Sequence, residues 1–497
     1  MITKPKGTYD LYGSESRNVL FLQNLIQNLM ENYNYEMIRT PLFESSDLFH
    51  RGVGETTDIV TKETYDFKDR GDRNLTLRPE GTAGAARCFI ENKLYAENMP
   101  KKFWYYGPMY RYERPQAGRF REHYQFGCEV YGSFDPIIDA EVISIPYTLF
   151  KSLGLNVKVH INSLGDKDSR DSYHDALIEY LRPNINDLCE DCKERFEKNP
   201  LRILDCKVDK DNDILLNVPK TIDYLNEESK EYFDKVLKYL DALEVDYVVD
   251  PKTVRGLDYY THTVFEIECV DIENRNSVLC GGGRYNNLIK NLGGPEVPAV
   301  GFGMGTERLL QVLDDTGLGF NLGSYLDCYI IPVSENEKVE ALTLCYALRM
   351  MGFKVDIDNM NRNVKNNFKQ AEKLNAKFAI VVGEEELKEG YFTVKDMKNK
   401  SSEEVNTSLI VNYLMEKLTE EEDCSCMDDC CCDDDCDCSC ECDCGDDCKC
   451  DEHHKCNDNC TCGDDCCCND ECDCGDDCHC HDGDRCSEDC QCHKHND

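Results

Sequence analysis

Residues 102–132 read KFWYYGPMYRYERPQAGRFREHYQFGCEVYG, and the fold turns on this stretch. Tyr, Phe and Trp crowd it without a helical period, and the Pro-Gln-Ala-Gly chemistry of Arg114–Gly118 marks a loop. The segment predicts two long antiparallel strands around that loop. Upstream, Leu22, Leu25, Ile26, Leu29, Met30 and Tyr33 recur at three- and four-residue spacing, which predicts a helix over Arg17–Tyr33. Tyr35–Thr40 reads as a strand stopped by Pro41, because proline cannot donate to a ladder. Leu75 and Leu77 alternate with polar residues before Pro79, and a helix is expected from Thr82. Downstream, Asp139–Leu153 reads as a helix and 166–250 as a polar, mostly helical insertion. Strand character returns over Gly256–Cys269, and Pro298–Leu313 reads strand, glycines, helix.

From Asp327 the pattern changes. Strands Cys328–Val333, Phe353–Ile357 and Phe378–Val382 alternate with helices Glu335–Met351 and Val364–Leu374, which predicts a small α/β domain with a mostly parallel sheet. A last helix carries Leu409, Leu414 and Leu418. The expected organisation is an α+β chain of three parts: 1–325, 326–419 and 420–497.

The 497 residues are 41% hydrophobic, which excludes wholesale disorder, and no apolar run is long enough for a membrane span. The N-terminus, MITKPKGTYD, lacks an apolar leader, so secretion is not expected and a cytoplasmic location is. The charge of −41 and the 34 cysteines are concentrated at the end. Residues 421–497 hold 25 of those cysteines and 28 acidic against 4 basic residues; that net −24 leaves −17 for the rest, ordinary for an enzyme.

Four arginine-bearing segments stand beside glycines or aromatics: Arg78–Thr82, Tyr110–Arg114 continuing to Gln125 and Glu129, Arg255–Tyr260, and Gly301–Arg308. Arginine on a rigid strand suits polyphosphate, since its planar fork bonds bidentately and stays charged. Each arginine taken singly also fits an ion-paired surface residue; four in such settings favour a ligand. Gly301–Gly305 is not a dinucleotide fingerprint, because Thr306 stands at the third glycine position, and no P-loop sequence occurs.

Residues 1 to about 418 resemble histidyl-tRNA synthetases, a class II aminoacyl-tRNA synthetase family. The helix and strand ending at Pro41 resemble class II motif 1, Tyr110–Glu129 motif 2 and Gly301–Arg308 motif 3. Arg-Gly-Leu-Asp-Tyr-Tyr from Arg255 and Gly-Gly-Gly-Arg-Tyr from Gly281 resemble the two peptides particular to the histidine enzymes. The resemblance implies an antiparallel catalytic sheet with flanking helices, an α/β anticodon-binding domain, a homodimer built through motif 1, and tRNA(His) as partner. It also implies a two-step reaction, in which ATP with Mg²⁺ activates L-histidine and the histidyl group passes to tRNA. Arg111 and Arg255 are then the catalytic residues at the α-phosphate. Arg119 and Arg308 join Arg111 in holding ATP. Glu80, Gly81, Thr82 and Gln125 match binders of the α-amino end of histidine; Glu129 and Tyr260 face the imidazole, Tyr259 lines the pocket, and Arg114 and Gln116 lie near the tRNA acceptor end. A regulatory paralogue serving ATP phosphoribosyltransferase is the alternative; the full set of Arg255, Tyr260 and Arg308 and the domain at 327–418 argue against it.

His50, His123, His160, His174 and His262 show no metal spacing and read as structural. Cys189, Cys192 and Cys206 have part of a zinc-site pattern, but with no fourth ligand in view reduced thiols are expected. The tail, outside the resemblance, is expected to bind Zn²⁺ or Cu⁺ through closely spaced thiolates such as Cys424, Cys426, Cys442, Cys444, Cys472 and Cys474.

Overall fold

Lys101–Tyr110 and Glu122–Tyr131 are two ten-residue strands paired antiparallel, with Tyr105 opposite Gly127. The structure, a computed structural model, describes residues 1–422 apart from 55–58, 115–117, 207, 210, 256, 258, 273–277, 321 and 323–325. The chain divides into two compact units, Met1–Leu322 and Gly323–Asp497.

In the first unit the strand pair is the seed of an eight-stranded sheet. Its spatial order is Glu36–Met37, Lys101–Tyr110, Glu122–Tyr131, Ala299–Gly305, Val278–Arg284, Thr261–Cys269, Val157–Ser163 and Tyr247–Val249. The six central strands run antiparallel, and both edge strands join parallel. Alternation sends Phe126, Cys128 and Val130 to one face, where they are fully buried under four helices. Helix Gly13–Asn32 supplies Leu22, Ile26 and Met30 at the predicted spacing, and burying a side chain such as Leu22 contributes about 1.5–3 kcal/mol. Helix Pro136–Ser152 starts where Asp135 accepts the Ile137 N–H at 3.0 Å and proline fills the first turn. Helices Glu227–Ala242 and Thr306–Asp315 complete this layer.

The other face carries Gln125, Gly127 and Glu129. Helix Thr82–Glu91 covers part of it, with Ala85, Ala86 and Phe89 packed on Phe103, Tyr105 and Tyr131. Two expectations needed correction here. The strand expected over Tyr35–Thr40 is only Glu36–Met37, because the chain must leave the edge before Pro41. The insertion ends by returning a strand, Tyr247–Val249, to the same sheet.

The second unit has a five-stranded sheet ordered Val355–Ile357, Leu326–Pro332, Ala376–Val382, Tyr391–Asp396 and Ser402–Asn406. The first three strands are parallel as expected. The last two form an antiparallel hairpin that the sequence reading missed, turned by Asp396 accepting the N–H groups of Lys398 and Asn399 at 2.8 Å. The tail cysteines Cys424, Cys426, Cys442, Cys444, Cys472 and Cys474 lie outside the described residues.

Candidate active site

Residues opposite one another in an antiparallel sheet share a face, so the registers define the floor of the site. One row runs Tyr105, Gly127, Gly303, Gly281, Glu266 and the next runs Phe103, Glu129, Gly301, Gly283, Val264. Glycine normally weakens a strand. Here its missing Cβ lets neighbouring polar side chains lie flat across the sheet. A Cβ on Gly301 would fall inside the Glu129 carboxylate, and one on Gly303 inside the Gln125 amide.

Glu129 is fully buried. Its carboxylate accepts from Thr82 Oγ1 at 2.7 Å, from Tyr105 Oη at 3.2 Å and from the Tyr285 hydroxyl. Burial raises its pKa to about 8, against the pull of those donors. Glu80 is also buried, which pushes its pKa up; it caps helix Thr82–Glu91 by accepting the N–H groups of Thr82 and Ala83 at 2.8 and 2.7 Å. Gln125 accepts the Gly81 N–H at 3.2 Å. Tyr259 and Tyr260 are buried, their rings 4.7 Å apart, and Tyr259 meets Tyr285 at 5.4 Å. Thus Thr82, Glu129, Tyr259 and Tyr260 gather in one polar aromatic pocket.

The raised pKa of Glu129 has a consequence for stability. Below about pH 4.3 the carboxyl is protonated folded or unfolded. Between there and about pH 8 the folded chain holds a proton that the unfolded chain releases, so this contribution declines as pH rises and is gone above about 8. Urea midpoints for the wild type and Glu129→Gln should diverge through that window; parallel profiles would exclude a proton held at Glu129.

A second cluster is cationic. Arg111 donates from Nε to the Pro79 carbonyl at 2.8 Å, and Glu113 pairs with Arg119 at 3.3 Å and with Arg111 at 3.8 Å. Arg308 donates to the Val278 carbonyl at 2.8 Å; burial and the proximity of Arg119 pull its pKa down to about 10. His123 lies among these three arginines. Burial and their charges push its pKa to about 3, so it is a neutral neighbour. Arg255 pairs with Glu266, over Gly281, and its buried Nε has no hydrogen-bond partner among the described residues.

The structure thus brings Arg111, Arg119 and Arg308 together, while Arg114 is exposed and Gln116 lies outside the described residues. Arg78, in one of the four arginine segments, is structural: it donates to the carbonyls of Pro108 and Thr40 at 2.9 and 3.0 Å. Sequence reasoning missed Glu113, His123, Tyr105, Tyr285 and Glu266 as neighbours of the site. Alternation from Glu129 along paired strands is the signal for Tyr105. A cavity of about 490 Å³, lined in part by Tyr9, Tyr106, Tyr124 and Glu307, lies on the opposite face and contains none of these arginines.

Residues 7–309 match the family model described as histidyl-tRNA synthetase, and 327–417 match an anticodon binding domain. A histidine–tRNA ligase of Geobacillus sp. (strain WCH70) is 48% identical over 419 residues, covering 84% of this chain and 99% of that protein. One from Oceanobacillus iheyensis is 48% identical over 418 residues, 83% and 97% of the two chains. The crystal structure of apo S. aureus histidyl-tRNA synthetase superposes with a TM-score of 0.72 at 40% identity, covering 83% of this chain and all of that one (100%). With a family model across most of the first unit and relatives matched nearly end to end, this chain belongs to the histidyl-tRNA synthetase family.

Proposed function

We propose that the protein is a histidine–tRNA ligase, activating L-histidine with ATP and transferring the histidyl group to the 3′ end of tRNA(His). The observation that carries this is the nearly end-to-end similarity to histidine–tRNA ligases, with the anticodon binding domain included. That domain also argues against a regulatory paralogue, which generally lacks it.

The carboxylate of histidine attacks the α-phosphorus of ATP, forming the acyl-phosphate bond of the adenylate as pyrophosphate leaves. Charge gathers on the phosphoryl oxygens, so fixed cations aimed there lower the barrier. Arg111 and Arg255 have this role, and Arg119 and Arg308 hold the remainder of ATP. Glu113, paired to Arg119 and Arg111, holds these two guanidinium groups beside each other. Mg²⁺ would supply charge neutralisation for the phosphates, and Glu113 and Glu266, the carboxylates beside these arginines, would be the residues to hold it. Glu80, Gly81, Thr82 and Gln125 receive the amino end of histidine, and Glu129 and Tyr260 its imidazole, with Tyr259 as a wall. Both ring nitrogens then have partners, and an isostere lacking one leaves a buried group unpaired at about 1–3 kcal/mol.

Arg114 and Gln116 guide the acceptor end, and residues 327–417 take the anticodon arm. A homodimer through the motif 1 region is supported by exposed Met37 on its strand. No described helix is long and apolar enough to cross a membrane, and the cytoplasm is the compartment proposed for a chain that charges tRNA. The parts are 1–325 for catalysis, 326–419 for the anticodon and 420–497 for a tail that binds Zn²⁺ or Cu⁺.

The test is histidine-dependent ATP–pyrophosphate exchange followed by charging of tRNA(His); exchange with another amino acid but not histidine overturns the reading. A chain ending at Glu422 should charge as well as the full chain and carry far less soft metal. Equal metal in both forms would refute metal binding by the tail, and loss of charging its dispensability.

A further inference from the structure

We infer that the insertion holds a structural zinc site made by Cys189, Cys192, Cys206 and Asp209. Three thiols alone fall one donor short, and the fold supplies the fourth. The ligating atoms of all four residues lie within 4.8 Å of one another. Cys189 Sγ is 3.7 Å from Cys206 Sγ, and Cys206 Sγ is 3.6 Å from Asp209 Oδ2. A tetrahedral zinc with bonds of about 2.3 Å to sulfur and about 2.0 Å to oxygen needs edges of about 3.8 and 3.5 Å. A disulfide would need about 2.05 Å, and these cysteines are free.

Local structure presents the donors. Cys189 is the N-cap of helix Glu190–Lys198, and Cys192 sits in its first turn, so a spacing of three presents both sulfurs at the same end of the helix. Cys206 and Asp209 repeat the same spacing of three. The Asp209 N–H donates to Cys206 Sγ at 3.4 Å, and the Cys189 N–H donates to Asp209 Oδ2 at 2.9 Å. Such outer bonds orient ligands before metal arrives. Four protein donors close the coordination sphere, which marks a structural rather than a catalytic zinc. Thiolates also disfavour Mg²⁺ and Ca²⁺.

The surroundings explain the need. Cys192 and Cys206 are buried in a small core with Leu177, Leu181, Ile203 and Leu215, separate from the cores of the main sheet. The helices around the donors are short: Glu190–Lys198, Pro200–Ile203 and Asp213–Leu216. A core of this size is commonly stapled by a metal.

The test uses the chain ending at Glu422, so that the 25 tail cysteines contribute nothing. That length keeps every described core, and the 419 matched residues span 99% of a histidine–tRNA ligase. Purified reduced with zinc present and then freed of loosely bound metal, it should retain about one zinc per chain by mass spectrometry. Cys192→Ser and Cys206→Ser should lose that zinc, and Cys88→Ser, outside the cluster, should keep it. Cobalt added to the metal-free wild type should give the charge-transfer absorption of a tetrahedral thiolate site, a readout needing no variant. A folded wild-type chain that retains no zinc and shows no such absorption overturns the site, and so does undiminished zinc in folded Cys206→Ser.

Discussion

Arg255→Ala lowers histidine-dependent pyrophosphate exchange by about 10²–10³-fold, the cost of removing one charge-stabilising donor, about 2.7–4 kcal/mol. Three features set this expectation. The guanidinium is held by Glu266, so its position is fixed before substrate arrives. It lies over Gly281, where any side chain would displace it. Its Nε has no partner among the described residues. An interaction that strengthens as charge develops appears in kcat more than in the KM for ATP. Near-normal exchange by the variant would show that Arg255 is not at the reacting phosphate, and Lys would not restore a bidentate contact.

Arg284→Ala should cost about 3–5 kcal/mol of stability. The Arg284 and Asp139 side chains are both fully buried; Nε donates to the two carboxylate oxygens at 3.2 and 3.1 Å, and Nη1 donates to the Ser133 carbonyl at 2.8 Å. Tyr232 Oη bonds the same carboxylate at 2.8 Å. Truncating the arginine strands the carboxylate, whereas replacing both partners by apolar residues of similar volume costs much less. Trp104 is the single tryptophan and sits in the core of the same unit, so its fluorescence follows urea unfolding. A loss under 1 kcal/mol for Arg284→Ala, or equal losses for single and double replacements, would refute the account.

These two arginines show what the sequence makes legible. Both stand in peptides resembling the histidine enzymes, yet one faces the ligand floor and the other the helical core. Parity separates them: Gly281 and Gly283 line the floor, so Arg284, opposite Val300, must point to the core. The main strands, the long helices and the parallel part of the second unit follow from apolar period and turn residues. Arg78 gave no comparable signal, because its carbonyl partners lie 30 and 38 positions away. The hairpin Tyr391–Asp396 and Ser402–Asn406 escaped notice because its first strand is short, with only Phe392 and Val394 alternating into the core, and its second, Ser-Glu-Glu-Val-Asn, buries Val405 alone. Asp209 was overlooked for another reason: its spacing from Cys206 repeats that of Cys189 and Cys192, but it is an oxygen ligand among sulfurs.

The insertion leaves the sheet through Val157–Ser163 and comes back through Tyr247–Val249, and those strands lie side by side, His160 opposite Val248. Its two ends therefore meet at one edge of the sheet, just beyond Thr261–Cys269, the last strand of the floor. An element hung this way is a module. Closing a longer or shorter excursion between adjacent strands changes the chain entropy only logarithmically, about 0.6 kcal/mol per doubling. The length of the excursion is therefore a weak constraint on closing the edge, while Arg170 of the insertion donates to the Tyr260 carbonyl at 3.1 Å and ties the module to the pocket.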